Sequence, residues 1–587
     1  NNAIDQTAGT ITATGAATAS AGTGDISLGS ATNDFSSISA TGGNINVVDA
    51  NALTASATAS GTLTLDASGV LSTGGALSGT DVSLVGDGGI SLGHNVTATG
   101  TLALTSTNNA INQTAGTIST TGATTASAGT GNITLSQSTN NFSALNLSGG
   151  AIDVEDANSM TVSALASGTN QAVSLVAGGT LTLPATAINT GTADLALASN
   201  GGALSTAAAL SGNNLSLTAS GGLNLAHNVT AGGALTLGTT NTAINQTSGA
   251  VAVTGTTNAS AGAAAITLAQ GGNDFGGAVT LSNSGANAAQ LTDANNVILA
   301  ASTVGGNLIV TANAGGGQIT LSGGNYNTTN NGQFNMVGNT LLGGNTTVST
   351  GGGNTNWGGT INGGFSLTVN DSGTNNFMAA IGNSTALANI TTDAPGLSVL
   401  SGNVTVTGAI NFLDATTANG ITMTSTGGGG VTVNGANAAS PGFVNTLGDV
   451  TFQGTQVGTA GTPLVFIVTP DSLTFTQQVV GFFSGPSLPG SMVFPNGSSI
   501  TFNNASIAQS FLQQQATSAA SNASQSVTAA VAEEANKTFG TDSVAEDVEY
   551  GFAGEVGTTP PMDHRIDESG ISVPRCVQES REGVPCK

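Results

Sequence analysis

Cys576 and Cys586 are the only cysteines in this 587-residue chain, and they bracket the segment CVQESREGVPC. Two thiols ten positions apart can close a small loop by oxidation. In a chain with no other cysteine and an otherwise extracellular character, a disulfide is the expected outcome. The loop-length model assigns about 3 kcal/mol to such a closure. That term is local and does nothing for structure far upstream. The loop therefore either acts where it stands or merely staples a tail. The spacing is not that of a CxxC redox or metal motif.

Carboxylates are the next candidates. Asp153, Glu155 and Asp156 cluster in AIDVEDAN, and on a strand the first two share a face. Paired carboxylates are the equipment of glycoside hydrolysis. The equivalent stretch of an earlier repeat, NINVVDA, keeps only Asp49. A solvated face, or an occasional calcium contact, is the reading that fits. Many β-helix proteins are polysaccharide lyases or hydrolases, but lyases of that kind set basic groups or calcium beside their acids. No Lys or Arg precedes Lys537 here. No catalytic residue, cofactor site or metal site is expected, and the chain is read as a non-enzyme. His94 and His227 occupy equivalent repeat positions and read as turn or surface residues; His564 stands apart. Asn-x-Ser/Thr triplets at Asn95, Asn132, Asn141, Asn146, Asn228 and Asn403 permit glycosylation, but in a chain this rich in Asn, Ser and Thr they arise by chance.

Charge narrows the partners. The net charge is −25, charged residues make up 6% of the chain, and two thirds of the acids lie in the basic-free span before Lys537. Phosphate neutralisation needs Lys or Arg, so nucleic acid is excluded as a partner. Attachment to an anionic lipid surface is disfavoured for the same reason. No apolar run is long enough to span a bilayer, and no signal peptide is visible at Asn1. The chain opens inside a repeat and reads as the C-terminal part of a larger precursor.

The elements that position these residues are repeats. NNAIDQTAGTITATG begins at Asn1, NNAINQTAGTISTTG at Asn108 and NTAINQTSGAVAVTG at Asn241. Phe35, Phe142 and Phe275 follow in NDF or NNF, and Asp49, Asp156 and Asp293 in DAN. Inside this long repeat is a shorter one. Leu195/Leu197, Leu215/Leu217 and Leu235/Leu237 recur at a step of twenty, and Leu63/Leu65, Val82/Leu84 and Leu102/Leu104 at a nearly identical step. Each unit is a short apolar–polar–apolar strand bounded by Gly, Asn, Ser or Asp. Alternate residues share a face, so stacked coils would build a leucine ladder. Coils spaced about 4.8 Å apart and more than about twenty in number would make a rod roughly 100 Å long. The expected fold is an all-β, right-handed parallel β-helix of about 20-residue coils, with a short helical linker and an extended tail.

Five segments follow from composition. Residues 1–322 are regular solenoid, and 323–439 are Gly/Asn-rich, less regular solenoid. Residues 440–504, rich in Pro and Phe, read as a β cap over the open strand edges. Residues 505–539 contain almost no breakers and read as a helical linker, and 540–587 as an extended anchor tail with the disulfide loop.

Solenoid repeats of the GTLTL and NITL kind resemble the secreted exoproteins of two-partner secretion systems, the filamentous-haemagglutinin-like adhesins. The paired cysteines resemble the C-terminal hook of high-molecular-weight and biofilm-matrix adhesins. The resemblance implies that the loop at Cys576 and Cys586 stops the last segment from leaving an outer-membrane β-barrel transporter, so that the fibre stays at the bacterial cell surface. A disulfide late in the chain also suits export of an unfolded thread. The implied function is a tethered adhesin or biofilm-matrix fibre that binds exopolysaccharide, a host or cell surface, or copies of itself. The alternatives are a self-assembling extracellular filament and, last, a polysaccharide-active β-helix enzyme.

Overall fold

Short strands with alternating apolar residues cannot bury their inward faces alone, and in this chain they do so by stacking. The computed structural model describes residues 2–313, 316–418, 421–427 and 429–433 in full, and beyond them the backbone of isolated strands. The fold is a parallel β-solenoid of about 20 turns, with coils of about 21 residues, consistent with a right-handed β-helix. No helix occurs among the described residues. The segment read as a helical linker, 505–539, lies outside them.

The chain divides into two compact units, Asn1–Gly305 with Ala312–Ala314, and Gly306–Thr311 with Gly315–Lys587. In the first unit, strands Leu195–Ser199, Leu215–Ala219 and Leu235–Thr239 pair in parallel and in register. Leu195 lies against Leu215 and Leu215 against Leu235, one coil apart each time. Leu197, Leu217 and Leu237 do the same two positions on. All six are buried. The earlier ladder, Leu63–Val82–Leu102 with Leu65–Leu84–Leu104, is equally continuous. The twenty-residue step read from the sequence is therefore the coil. A shift of one residue would turn every leucine outward, so the apolar alternation fixes the register.

Asparagine closes the corners. Asn108 and Asn241 adopt positive φ, and their side-chain oxygens accept the backbone N–H of Thr130 and Ala263 in the next coil. The residue above each is a glycine with positive φ, Gly129 or Gly262. A Cβ at Gly129 would stand 2.4 Å from the Asn108 side-chain oxygen. Glycine there answers both a backbone and a space requirement.

In the second unit the Gly/Asn-rich stretch keeps the parallel pairing. Buried aliphatics such as Leu342, Val348 and Leu367 continue there, and aromatic rings join them. Tyr326, Phe334, Trp357, Phe377 and Phe412 are fully buried and form one aromatic column. Successive ring centroids lie 6.1, 5.2, 6.2 and 6.1 Å apart. Such contacts add about 0.5–1.5 kcal/mol per pair beyond area burial. Parallel backbone pairing continues through Phe443–Thr446 with Val465–Val468, and through Val450–Gln453 with Leu473–Phe475. Two antiparallel pairs follow, Ser491–Val493 with Ser499–Thr501 and Met562–Ile566 with Ser572–Cys576.

Candidate functional site

One side-chain arrangement recurs in all three long repeats, a network of Gln, Asn and Asp. In the second copy, Asn140 and Gln113 join as a reciprocal amide pair. Asn140 Nδ2 donates to Gln113 Oε1 at 2.7 Å, and Gln113 Nε2 donates to Asn140 Oδ1 at 2.8 Å. Asn140 Nδ2 also donates to the Leu135 carbonyl at 3.0 Å, and its Oδ1 accepts the Ile118 N–H at 2.9 Å. All four hydrogen bonds that this side chain can make are made. The same pair recurs as Gln6 with Asn33 and Gln246 with Asn273. Each joins residues of different coils across a separation of 27.

The DAN aspartate completes the network. Asp156, fully buried, accepts the N–H of Phe142 at 2.7 Å and of Asn158 at 2.7 Å. Asp49 brackets Phe35 and Asn51 in the same way, and Asp293 brackets Phe275 and Asn295. Burial pushes the carboxyls of Asp156 and Asp293 above the usual range, and the backbone N–H groups pull them partly back. The NDF and DAN markers of the sequence are thus two halves of one bracket, with the phenylalanine ring buried between coils. These acids hold backbone and face no solvent.

The other candidates are placed as follows. Asp153 and Glu155 lie at the half-exposed positions of strand Ile152–Asp156, whose inward positions are Ile152, Val154 and Asp156. They share the outer face, as the alternation predicts, and Asp156 lies on the opposite one, so the three do not converge. His94 and His227 are exposed at equivalent corners. Their Nδ1 atoms lie 3.1 Å from the Thr73 carbonyl and 2.9 Å from the Thr206 carbonyl. Each spends a ring nitrogen on the preceding coil. Asn95, Asn132, Asn228 and Asn403 accept a backbone N–H from the coil after them. Among the described residues no group of three or more His, Cys, Asp or Glu is arranged to hold a metal ion.

One open groove of about 300 Å³ crosses the outer face of the first unit. It exists because Gly238 stands between Thr218 and Ser260 in the stacked register and leaves a notch. Asn200, Ala219, Ser220, Thr239 and Thr240 complete its lining. The wall offers hydroxyls and an amide, with no charge and no nucleophile–base pair.

Cys576 ends the backbone strand Ser572–Cys576, opposite Met562. Cys586 lies outside the described residues. No helix among the described residues is long and apolar enough to cross a membrane.

The Gln–Asn pairs were not singled out from the sequence, although a signal existed. Their separation of 27 is identical in three copies whose total lengths differ. A family model described as repeats of unknown function (DUF5649) matches residues 1–41, 79–148 and 212–282. Each matched stretch contains one Gln–Asn pair and stops before its DAN aspartate. No curated protein and no solved structure matches the chain.

Proposed function

We propose that this chain is the fibre of a secreted bacterial surface adhesin or biofilm-matrix protein. It is held at an outer-membrane β-barrel transporter of the two-partner type by a disulfide loop between Cys576 and Cys586. The observation that carries this reading is the fate of the repeated polar residues. Gln113, Asn140 and Asp156, with their counterparts, are consumed in joining one coil to the next. A repeat that invests its chemistry in coil-to-coil bonding makes extended surface. The outward faces are rich in Ser, Thr, Ala and Asn, which suits multivalent hydrogen bonding to uncharged polysaccharide or to another copy of the chain. The cysteine pair beyond the solenoid supplies a local device for retention.

The reading places the fibre outside the cell, with exopolysaccharide or a cell-surface ligand as partner and no catalytic turnover. Attachment of producing cells to an abiotic surface and to a polysaccharide matrix tests it, against cells lacking the chain. The reading expects a several-fold loss of attached biomass without the chain and restoration on complementation. Equal attachment with and without the protein, or turnover of polysaccharide by the purified chain, refutes it.

A further inference from the structure

Two carboxylates inside the second unit behave unlike every bracket aspartate of the first. Asp371 and Asp414 are 3% and 0% exposed. They share one donor: Asn375 Nδ2 lies 3.3 Å from Asp371 Oδ1 and 2.8 Å from Asp414 Oδ2. Ser398 Oγ donates to the same Asp414 oxygen at 2.9 Å. The second oxygen of each, Asp371 Oδ2 and Asp414 Oδ1, is buried and accepts no hydrogen bond from the described residues. Asp414 Oδ1 is turned toward Gly396, where an added Cβ would come within 2.5 Å of it. The arrangement leads on to the aromatic column, since Asn375 Oδ1 accepts from Thr355 Oγ1 at 2.6 Å and Trp357 Nε1 reaches that hydroxyl at 3.2 Å.

Among the described residues nothing nearby balances two negative charges. Thr350, Thr355, Asn375, Thr392 and Ser398 face the pair from the surrounding strands and are neutral, and Asp393 adds a third acid. No Lys or Arg occurs before Lys537, and no metal-holding group is present among the described residues. Two buried carboxylates in this situation are most readily neutralised by a proton.

We propose that Asp371 and Asp414 form a proton-binding pair, which makes the second unit firmer in mildly acidic surroundings. One proton gives a free oxygen a hydrogen to donate and removes the repulsion between the two groups. Burial first, then repulsion from Asp414 and Asp393, pushes Asp371 up from 3.8 to about 6. Burial also raises Asp414. The folded chain therefore binds this proton more tightly than the unfolded chain. The resulting stability grows as pH falls through about 6 toward the ordinary carboxylate range, and is lost as pH rises through about 6. Between about pH 7 and about pH 5 the unfolding equilibrium constant should fall about tenfold from Asp371 alone.

Trp357 is the only tryptophan in the chain and sits beside the pair, so its fluorescence reports unfolding of this unit. Urea titrations of the full chain at the two pH values are the test, with D371N/D414N and the exposed control D194N alongside. The proposal expects the wild-type midpoint to rise on acidification, D194N to follow it, and the double variant to lose most of that rise. Relief of overall net charge would act on all three alike. A flat or falling wild-type midpoint overturns the proposal, and this arm does not depend on the variant folding. An undiminished rise in the double variant also overturns it. So does a midpoint at about pH 7 that calcium raises in wild type and not in the double variant, which would make the pair a cation site.

Discussion

Asn140→Ala removes the most fully bonded side chain of the repeated network. Four hydrogen bonds are lost, to Gln113 twice, to the Leu135 carbonyl and to the Ile118 N–H. At about 1 kcal/mol net each, the simple sum is about 4 kcal/mol. Gln113 keeps its bond to the Gly116 carbonyl, and water can enter the space left, so about 3 kcal/mol is the working figure. In hydrogen exchange under rapid-reclosing conditions, this corresponds to a loss of about a hundredfold in protection. The loss should centre on the amides of Ile118 and its neighbours and on strand Ile133–Leu135. Asn141, the adjacent residue, is exposed, and Asn141→Ala should stay within about 0.5 kcal/mol of wild type. Asn140→Asp should be worse than alanine, because it buries a charge and aims an acceptor at Gln113 Oε1 and the Leu135 carbonyl. Peptide-resolved exchange on the purified chain measures all three. A change below about threefold for Asn140→Ala, or equal effects at positions 140 and 141, would refute the claim that the repeated asparagine rivets coils together.

Two further outcomes follow from packing. Gly129→Ala places a methyl 2.4 Å from the Asn108 side-chain oxygen at a residue with φ of 59°; a loss of about 1–3 kcal/mol is expected, read as faster exchange at that corner with distant coils unchanged. Trp357→Ala empties the centre of the aromatic column between Phe334 and Phe377. It should cost the second unit about 3–5 kcal/mol while protection around Leu195–Leu237 holds, since coils couple chiefly to their neighbours.

The features legible in the sequence were those carried by single-residue periodicity. Leu195, Leu215 and Leu235 announce the coil because one residue type recurs at one step. Asn140 and Gln113 did not announce their pairing. Each recurs visibly, but that they face one another depends on how two coils are phased, and only three-dimensional stacking sets that phase. The same holds for Phe142 and Asp156, read as separate markers and joined by a hydrogen bond from backbone to carboxylate. The aromatic column was hidden differently. Tyr326, Phe334, Trp357, Phe377 and Phe412 come at uneven steps, because the rings are drawn from different strand ladders: Trp357 is paired with Phe377 one coil on, whereas Tyr326 is paired with Val348 and Phe412 with Thr392. Aromatics are scarce in the chain, and the second unit sets five of them in one file. Asp371 and Asp414 are 43 residues apart and sit in no shared motif, so nothing in the linear order brings them together.

The tether reading rests on two residues, and their removal is its most direct test. Full-length protein carrying Cys576→Ser, Cys586→Ser or both should be exported normally and then appear mainly in the medium, with wild-type protein remaining on the cells. Mild reduction of wild-type cells should have the same effect. Undiminished retention of all three variants on the cell surface would contradict the account, because the chain would then be held by something other than the cysteine loop.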